Sequence, residues 1–241
     1  MKKRKVLIIW TSVLLIVGIY IIKDCYFTTN DTKTISNTKI DEKIVEVDDR
    51  TKEVKTLQNT YNNQDIKGIV SIEGEDSFKF PIAQTTDNDF YLSHDYYRNY
   101  DKYGSIYADY RVDLDDSRKI LLFGHNSSYI DTPFGNLENY YDKNYYDEHK
   151  YIYITTSNSV YKYEIFSVYV ETSDFTYMNI NFSNDEEWYS HITKLQSKSL
   201  YNIDVTLDKS DNILIMQTCS NNPNYKEKKK YLLVISRKVF E

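Results

Sequence analysis

Cysteine, proline and glycine are all scarce in this chain of 241 residues, at 2, 3 and 6 copies. Two cysteines cannot build the framework of bridges that holds small secreted domains together. Cys25 stands at the end of an apolar run and Cys219 at the end of an apolar strand, and the two are not expected to pair. No CxxC, HExxH or other ligand-spaced Cys/His pattern is present, so no metal site and no cofactor is expected. Internal repeats are missing, as is a C-terminal anchoring motif, which argues against an adhesin or pilus component. Acidic residues are missing from the first 23 positions, which hold five of the 30 basic ones; the remainder carries 25 basic and 36 acidic side chains, a balance of −11. A body this acidic is a poor partner for a phosphate backbone, so no nucleic acid is expected. Tyrosine, by contrast, is abundant at 25 copies. Tyr-rich, Gly-poor strands fit a β domain with solvated faces.

Lys2-Lys3-Arg4-Lys5 precedes an uncharged run, Val6 to Ile22, closed by Lys23 and Asp24. The run is at the short end of what spans a bilayer, roughly 17–25 residues. Ile21-Ile22-Lys23-Asp24 offers no small-x-small cleavage site, and the residues before Cys25 do not suit lipoprotein processing. Residues 1–23 are therefore expected to be a basic cytoplasmic tip and an uncleaved transmembrane helix, giving a single-pass membrane protein with its C-terminal domain outside the cell. Residues 24–39, polar and rich in Thr and Asn, read as a tether.

In the helical region 40–65, Ile40, Ile44, Val47, Val54, Leu57 and Tyr61 recur at helical spacing, and Asn62-Asn63-Gln64-Asp65 ends the helix. Residues 66–241 are mainly β. Strand-like runs are Gly68–Ile72, Phe80–Ala83, Ile120–Phe123, Tyr151–Thr156, Tyr161–Val170, Val205–Leu207, Ile213–Met216 and Tyr231–Ile235. Many short strands between polar turns predict a closed barrel or a sandwich. One helix interrupts them: Ser183 and Glu186 read as a capping box, and Trp188, Ile192 and Leu195 share a face. The acidic stretch Asp113–Asp116 reads as a solvated turn, with a cation site as the alternative.

A lone cysteine is as often a small buried apolar residue as a nucleophile, and its neighbours decide. Cys219 closes the strand that begins at Ile213, and His125 sits just past the strand that begins at Ile120. Two strand-end groups on one barrel rim can face each other, and a thiol needs such a partner because the thiolate is the nucleophile. His94, His149 and His191 have no ligand-spaced partner and read as surface or satisfied core residues. His125 precedes Cys219, the reverse of the papain order.

Thr218-Cys219 at a strand end resembles the sortase TLxTC signature, with Ile215-Met216 in place of Thr-Leu, and Gly124-His125-Asn126 resembles the sortase histidine segment. Asp87–Leu92, Gly104–Tyr107, Asp109-Tyr110-Arg111, Pro133–Leu137 and Tyr163–Tyr169 are similar to class B sortase segments and follow in the same order. The resemblance runs from about Ile66 to the C-terminus.

It implies an eight-stranded sortase-type β-barrel with an N-terminal helix and a helix between late strands. It also implies a cysteine transpeptidase of Gram-positive cell surfaces. Cys219 would cleave a sorting motif in a surface protein through a thioacyl intermediate, and the Thr carboxyl would pass to a peptidoglycan amine, with His125 as acid and base. Asn88, Leu92 and Thr218 match substrate-groove positions of the family. Sortases also use an Arg that opens the final strand. Here the lysine run 226–230 precedes that strand, and the only later Arg is Arg237, so the oxyanion cation is expected to be Arg237, with Lys230 as the alternative. The missing arginine and incomplete signature keep a second reading open: an inactive, sortase-like cell-wall binding module.

Overall fold

A computed structural model describes residues 38–239, with side chains from residue 49 onward. Val6–Ile22 and residues 24–37 of the expected tether lie outside the described residues, while its last two, 38 and 39, belong to a helix; among those described, no helix is long and apolar enough to cross a membrane. Helix α1 spans Thr38–Tyr61. Val54 on its inner face is buried, with Leu57 and Tyr61 packed beside it against Ile66 and Ile69. The helix stops where Asn62 turns left-handed at φ 48°, a conformation asparagine tolerates better than most residues. There Asn62 N–H bonds to Asn59 O and Asn63 N–H to Gln58 O, the paired closure that satisfies the last helical carbonyls.

Eight strands follow: β1 (Ile66–Ile72), β2 (Glu75–Ala83), β3 (Tyr107–Ala108), β4 (Lys119–Phe123), β5 (Tyr151–Thr156), β6 (Val160–Glu171), β7 (Ile213–Cys219) and β8 (Tyr231–Val239). They close in the order β1-β2-β3-β4-β7-β8-β6-β5. Closure leaves no strand edge open to another chain. All five residues of β4 and the first four of β7 are buried. Strands buried continuously in this way are covered on both faces. Helix α2 (Lys143–Glu148) and helix α3 (Asp185–Ser197) lie between strands in sequence. The inner face of α3 buries Trp188, Ile192 and Leu195, and Ser167 Oγ of β6 donates to Leu195 O at 2.8 Å.

Two local expectations are corrected. Val205–Leu207 is not a strand: Val205 and Leu207 are buried and alternate as strand residues do, but the segment pairs with no neighbour. The eighth strand is instead β3, two residues long. The cap of α3 lies one residue later than expected. Asn184 Oδ1 accepts from Glu187 N–H at 2.9 Å, and Glu187 Oε2 accepts from Ser183 N–H at 2.7 Å. Both Ser183-x-x-Glu186 and Asn184-x-x-Glu187 satisfy the sequence rule, and the helix uses the second.

The remaining polar features are structural. His94 stacks on Phe90 and His149 on Tyr145, while His191 Nε2 lies 2.8 Å from the buried Lys119 Nζ. In the acidic stretch, Asp115 accepts from Thr156, Asn158 and Tyr161, and Asp113 accepts from the next turn's amides. These carboxylates are committed to a hydrogen-bonded turn.

Asn184→Ala should lower stability by about 1 kcal/mol, whereas Ser183→Ala should change it little. Chemical denaturation of both variants checks this, and equal losses would contradict the cap assignment.

Candidate active site

Parallel pairing of β4 with β7 builds the site. Phe123 stands opposite Gln217, and the register continues beyond both strand ends. Gly124 N–H donates to Gln217 O at 3.2 Å, Thr218 Oγ1 donates to Gly124 O at 2.8 Å, and Asn126 Nδ2 donates to Cys219 O at 2.9 Å. His125 is thus held in the row that Cys219 occupies. Gly124 is needed for this approach, because a Cβ there would lie 2.7 Å from the Phe134 ring.

The imidazole is oriented by a loop. His125 Nε2 lies 2.8 Å from Leu92 O. A carbonyl only accepts, so Nε2 carries the proton and Nδ1 of the neutral ring is free to accept one. Leu92 is itself exposed. Its loop is fixed to the end of α1: Asn63 Nδ2 donates to Tyr91 Oη at 2.7 Å and to Tyr96 O at 2.8 Å, and Tyr91 donates to Asp65 at 3.0 Å. Gly104, at φ 56°, lies against the Tyr91 and Leu92 carbonyls where a side chain would collide.

Cys219 is free and exposed at the end of β7. Partial desolvation of its sulfur pushes the thiol pKa up. The following loop is tied down on both sides. Tyr141 and Ser220 share a hydroxyl–hydroxyl bond of 2.7 Å, and Asn221 N–H donates to Glu138 Oε1 at 2.6 Å. Tyr141 and Glu138 belong to the 3-10 helix Pro133–Tyr141.

The other expected site residues divide. Thr218 is buried and ties the two strand ends together, a positioning role. Asn88 is spent on Asp109: its Nδ2 donates to Asp109 Oδ2 at 3.1 Å and its Oδ1 accepts from Tyr110 N–H at 3.0 Å. Arg111 forks onto the same buried carboxylate at 2.8 and 2.7 Å.

Neither expected cation is free to meet an oxyanion beside Cys219. Arg237 stands opposite Ile213, at the far end of β7. Six strand positions separate that point from Cys219, roughly 20 Å. Its guanidinium is bound to Glu164 at 2.7 and 3.2 Å. Lys230 lies near the thiol in sequence register, but its Nζ donates to Asn222 O and Tyr225 O, both at 2.8 Å. It closes the loop rather than pointing a free charge at the site. The residue that does stand opposite Cys219 is Tyr231, which side-chain charge alone gave no reason to single out.

A raised thiol pKa has a direct readout. The Cys219 alkylation rate by iodoacetamide, with Cys219→Ala as the blank, should still climb with pH beyond 9.0, the ordinary thiol value, because less thiolate exists at neutral pH than in an ordinary cysteine. A plateau reached below neutrality would contradict it.

The sortase domain family matches residues 71–239. Sortase B of Staphylococcus aureus and Sortase B of Listeria monocytogenes are each 30% identical over 176 residues, covering 73% of this chain and 70% of theirs. Among solved structures, Clostridium perfringens sortase B superposes with a TM-score of 0.69 at 29% identity, covering 77% of this chain and 99% of its own. A sortase B complexed with triglycine has a TM-score of 0.67 at 25% identity, covering 83% of this chain and 99% of that one. With a barrel of this topology, a histidine and a free cysteine at neighbouring strand ends, and relatives of this kind over most of its length, the chain belongs to the sortase family of transpeptidases, in its class B branch.

Proposed function

We propose that the chain cleaves a sorting motif near the C-terminus of surface proteins and joins the new carboxyl to a peptidoglycan amine. The observation that carries this reading is the continued β4–β7 register, which sets His125 in line with an accessible Cys219. Nδ1 of His125 takes the thiol proton as sulfur attacks the carbonyl of the motif's threonine. The tetrahedral intermediate collapses, the leaving amine takes that proton, and a thioacyl enzyme remains. An incoming amine, deprotonated by the same imidazole, then releases the product. Binding of triglycine by a relative supports a small peptide amine as acceptor. The basic tip and Val6–Ile22 would hold the enzyme in the cell membrane with its barrel on the outer side, beside the wall.

Among the described residues no free guanidinium stands beside Cys219, which favours one competitor, an inactive wall-binding module. Turnover of quenched fluorescent sorting peptides by the detergent-solubilised full chain separates the two. The transpeptidase reading predicts cleavage of at least one Asn-Pro-x-Thr or Pro-x-Thr-Gly type peptide, lost in both Cys219→Ala and His125→Ala. No cleavage of any peptide by the parent chain would favour the binding module, and cleavage that survives Cys219→Ala would contradict Cys219 as the nucleophile.

A further inference from the structure

The final strand of the barrel opens with Tyr231, at the position where the family's arginine is expected. Tyr231 is the direct antiparallel partner of Cys219. The next pair along is hydrogen-bonded, with Ser220 N–H donating to Lys230 O at 2.9 Å. Cys219 and Tyr231 therefore form the alternate kind of pair, in which side chains approach most closely and project to the same face. Across the rim the row reads His125, Cys219, Tyr231. The Tyr231 ring is half-buried, with Phe175 edge-on to it at 6.0 Å between centroids. Among the described residues its hydroxyl forms no hydrogen bond. Neighbouring phenols differ: Tyr177 donates to Gln217 Oε1 at 2.7 Å, and Tyr141 is bound to Ser220.

We propose that the Tyr231 hydroxyl donates the hydrogen bond that stabilises the oxyanion formed when Cys219 attacks an acyl carbon, in place of the guanidinium that sortases carry there. The inference rests on the acyl-transfer reading of the site above. As the S–C bond forms, the carbonyl π pair moves to oxygen, and the Tyr231 O–H, carried on the strand position paired with Cys219, would donate to the oxygen where that charge appears. When the intermediate collapses, the pair returns and the leaving group departs. Tyr231 keeps its proton throughout. Its environment supports this: desolvation and then the charge of a Cys219 thiolate push its pKa up, so it remains a donor at neutral pH. A neutral phenol stabilises an oxyanion by one directed hydrogen bond rather than by charge, which is compatible with a Cys219 thiol that burial pushes up.

The test compares two reactions of the same sulfur in the solubilised full chain, with Cys219→Ala as the blank. Acylation by p-nitrophenyl acetate passes through an oxyanion and needs no sorting motif; alkylation by iodoacetamide has no oxyanion. Tyr231→Phe should slow acylation about 100-fold and leave alkylation at the parent rate, and Tyr231→Arg should recover acylation. Unchanged acylation in Tyr231→Phe would overturn the proposal, as would a parallel loss of both reactions, which would mark a structural role. Tyr231-dependent acylation without cleavage of any sorting peptide would instead sink the transpeptidase reading and leave the oxyanion donor standing.

Discussion

Everything chemical in this protein depends on β4 and β7 being parallel neighbours. Parallel strands deliver both C-terminal ends to the same rim, so residues just past each end come together. An antiparallel pair would have set the end of one against the start of the other. That second relation holds between β7 and β8, and it brings the first residue of β8 to the same rim. The row of histidine, cysteine and tyrosine follows from three strand directions. A parallel pair cannot be joined by a tight turn. Here the connection from β4 to β7 contains β5, β6, α2 and α3, so a large part of the barrel serves as the crossover that makes the site.

The rest of the structure fixes that row in place. On one side, the left-handed end of α1 and buried Asn63 hold the loop whose Leu92 carbonyl sets the His125 tautomer. On the other, Tyr141 and Glu138 grip the loop after Cys219, and Lys230 closes it by binding two of its carbonyls. Between them, the Thr218 hydroxyl and the Asn126 amide carry the sheet's register one step past its last backbone pair. The supporting groups are mostly neutral. The buried charge of Asp109 is matched by the Arg111 fork and by Asn88, as a buried carboxylate requires.

Much of this was legible in the sequence. Apolar runs bounded by polar turns located seven of the eight strands, and strand-end placement singled out Cys219 and His125. The misses have physical causes. β3 has two residues, too few to show alternation. Val205–Leu207 alternates because it is packed on one side, and only a pairing partner distinguishes that from a strand. Glu186 and Glu187 are adjacent, so two capping boxes compete for α3. Arg237 was chosen for its charge, but charge says nothing of register: only the pairing of Ile213 with Arg237 and of Cys219 with Tyr231 shows which end of β8 meets the thiol. Asn88 was singled out by its match to a groove position of the family, yet both ends of its amide are spent on Asp109 and Tyr110, just past β3.

The central claim is that this rim transfers an acyl group through Cys219. Intact mass spectrometry of the full chain incubated with a sorting peptide that it cleaves tests this most directly. The account predicts a mass increase on Cys219 equal to the peptide up to its threonine, discharged when triglycine is added with formation of the joined peptide. Peptide cleavage with no such adduct, or an adduct that persists in Cys219→Ala, would contradict it.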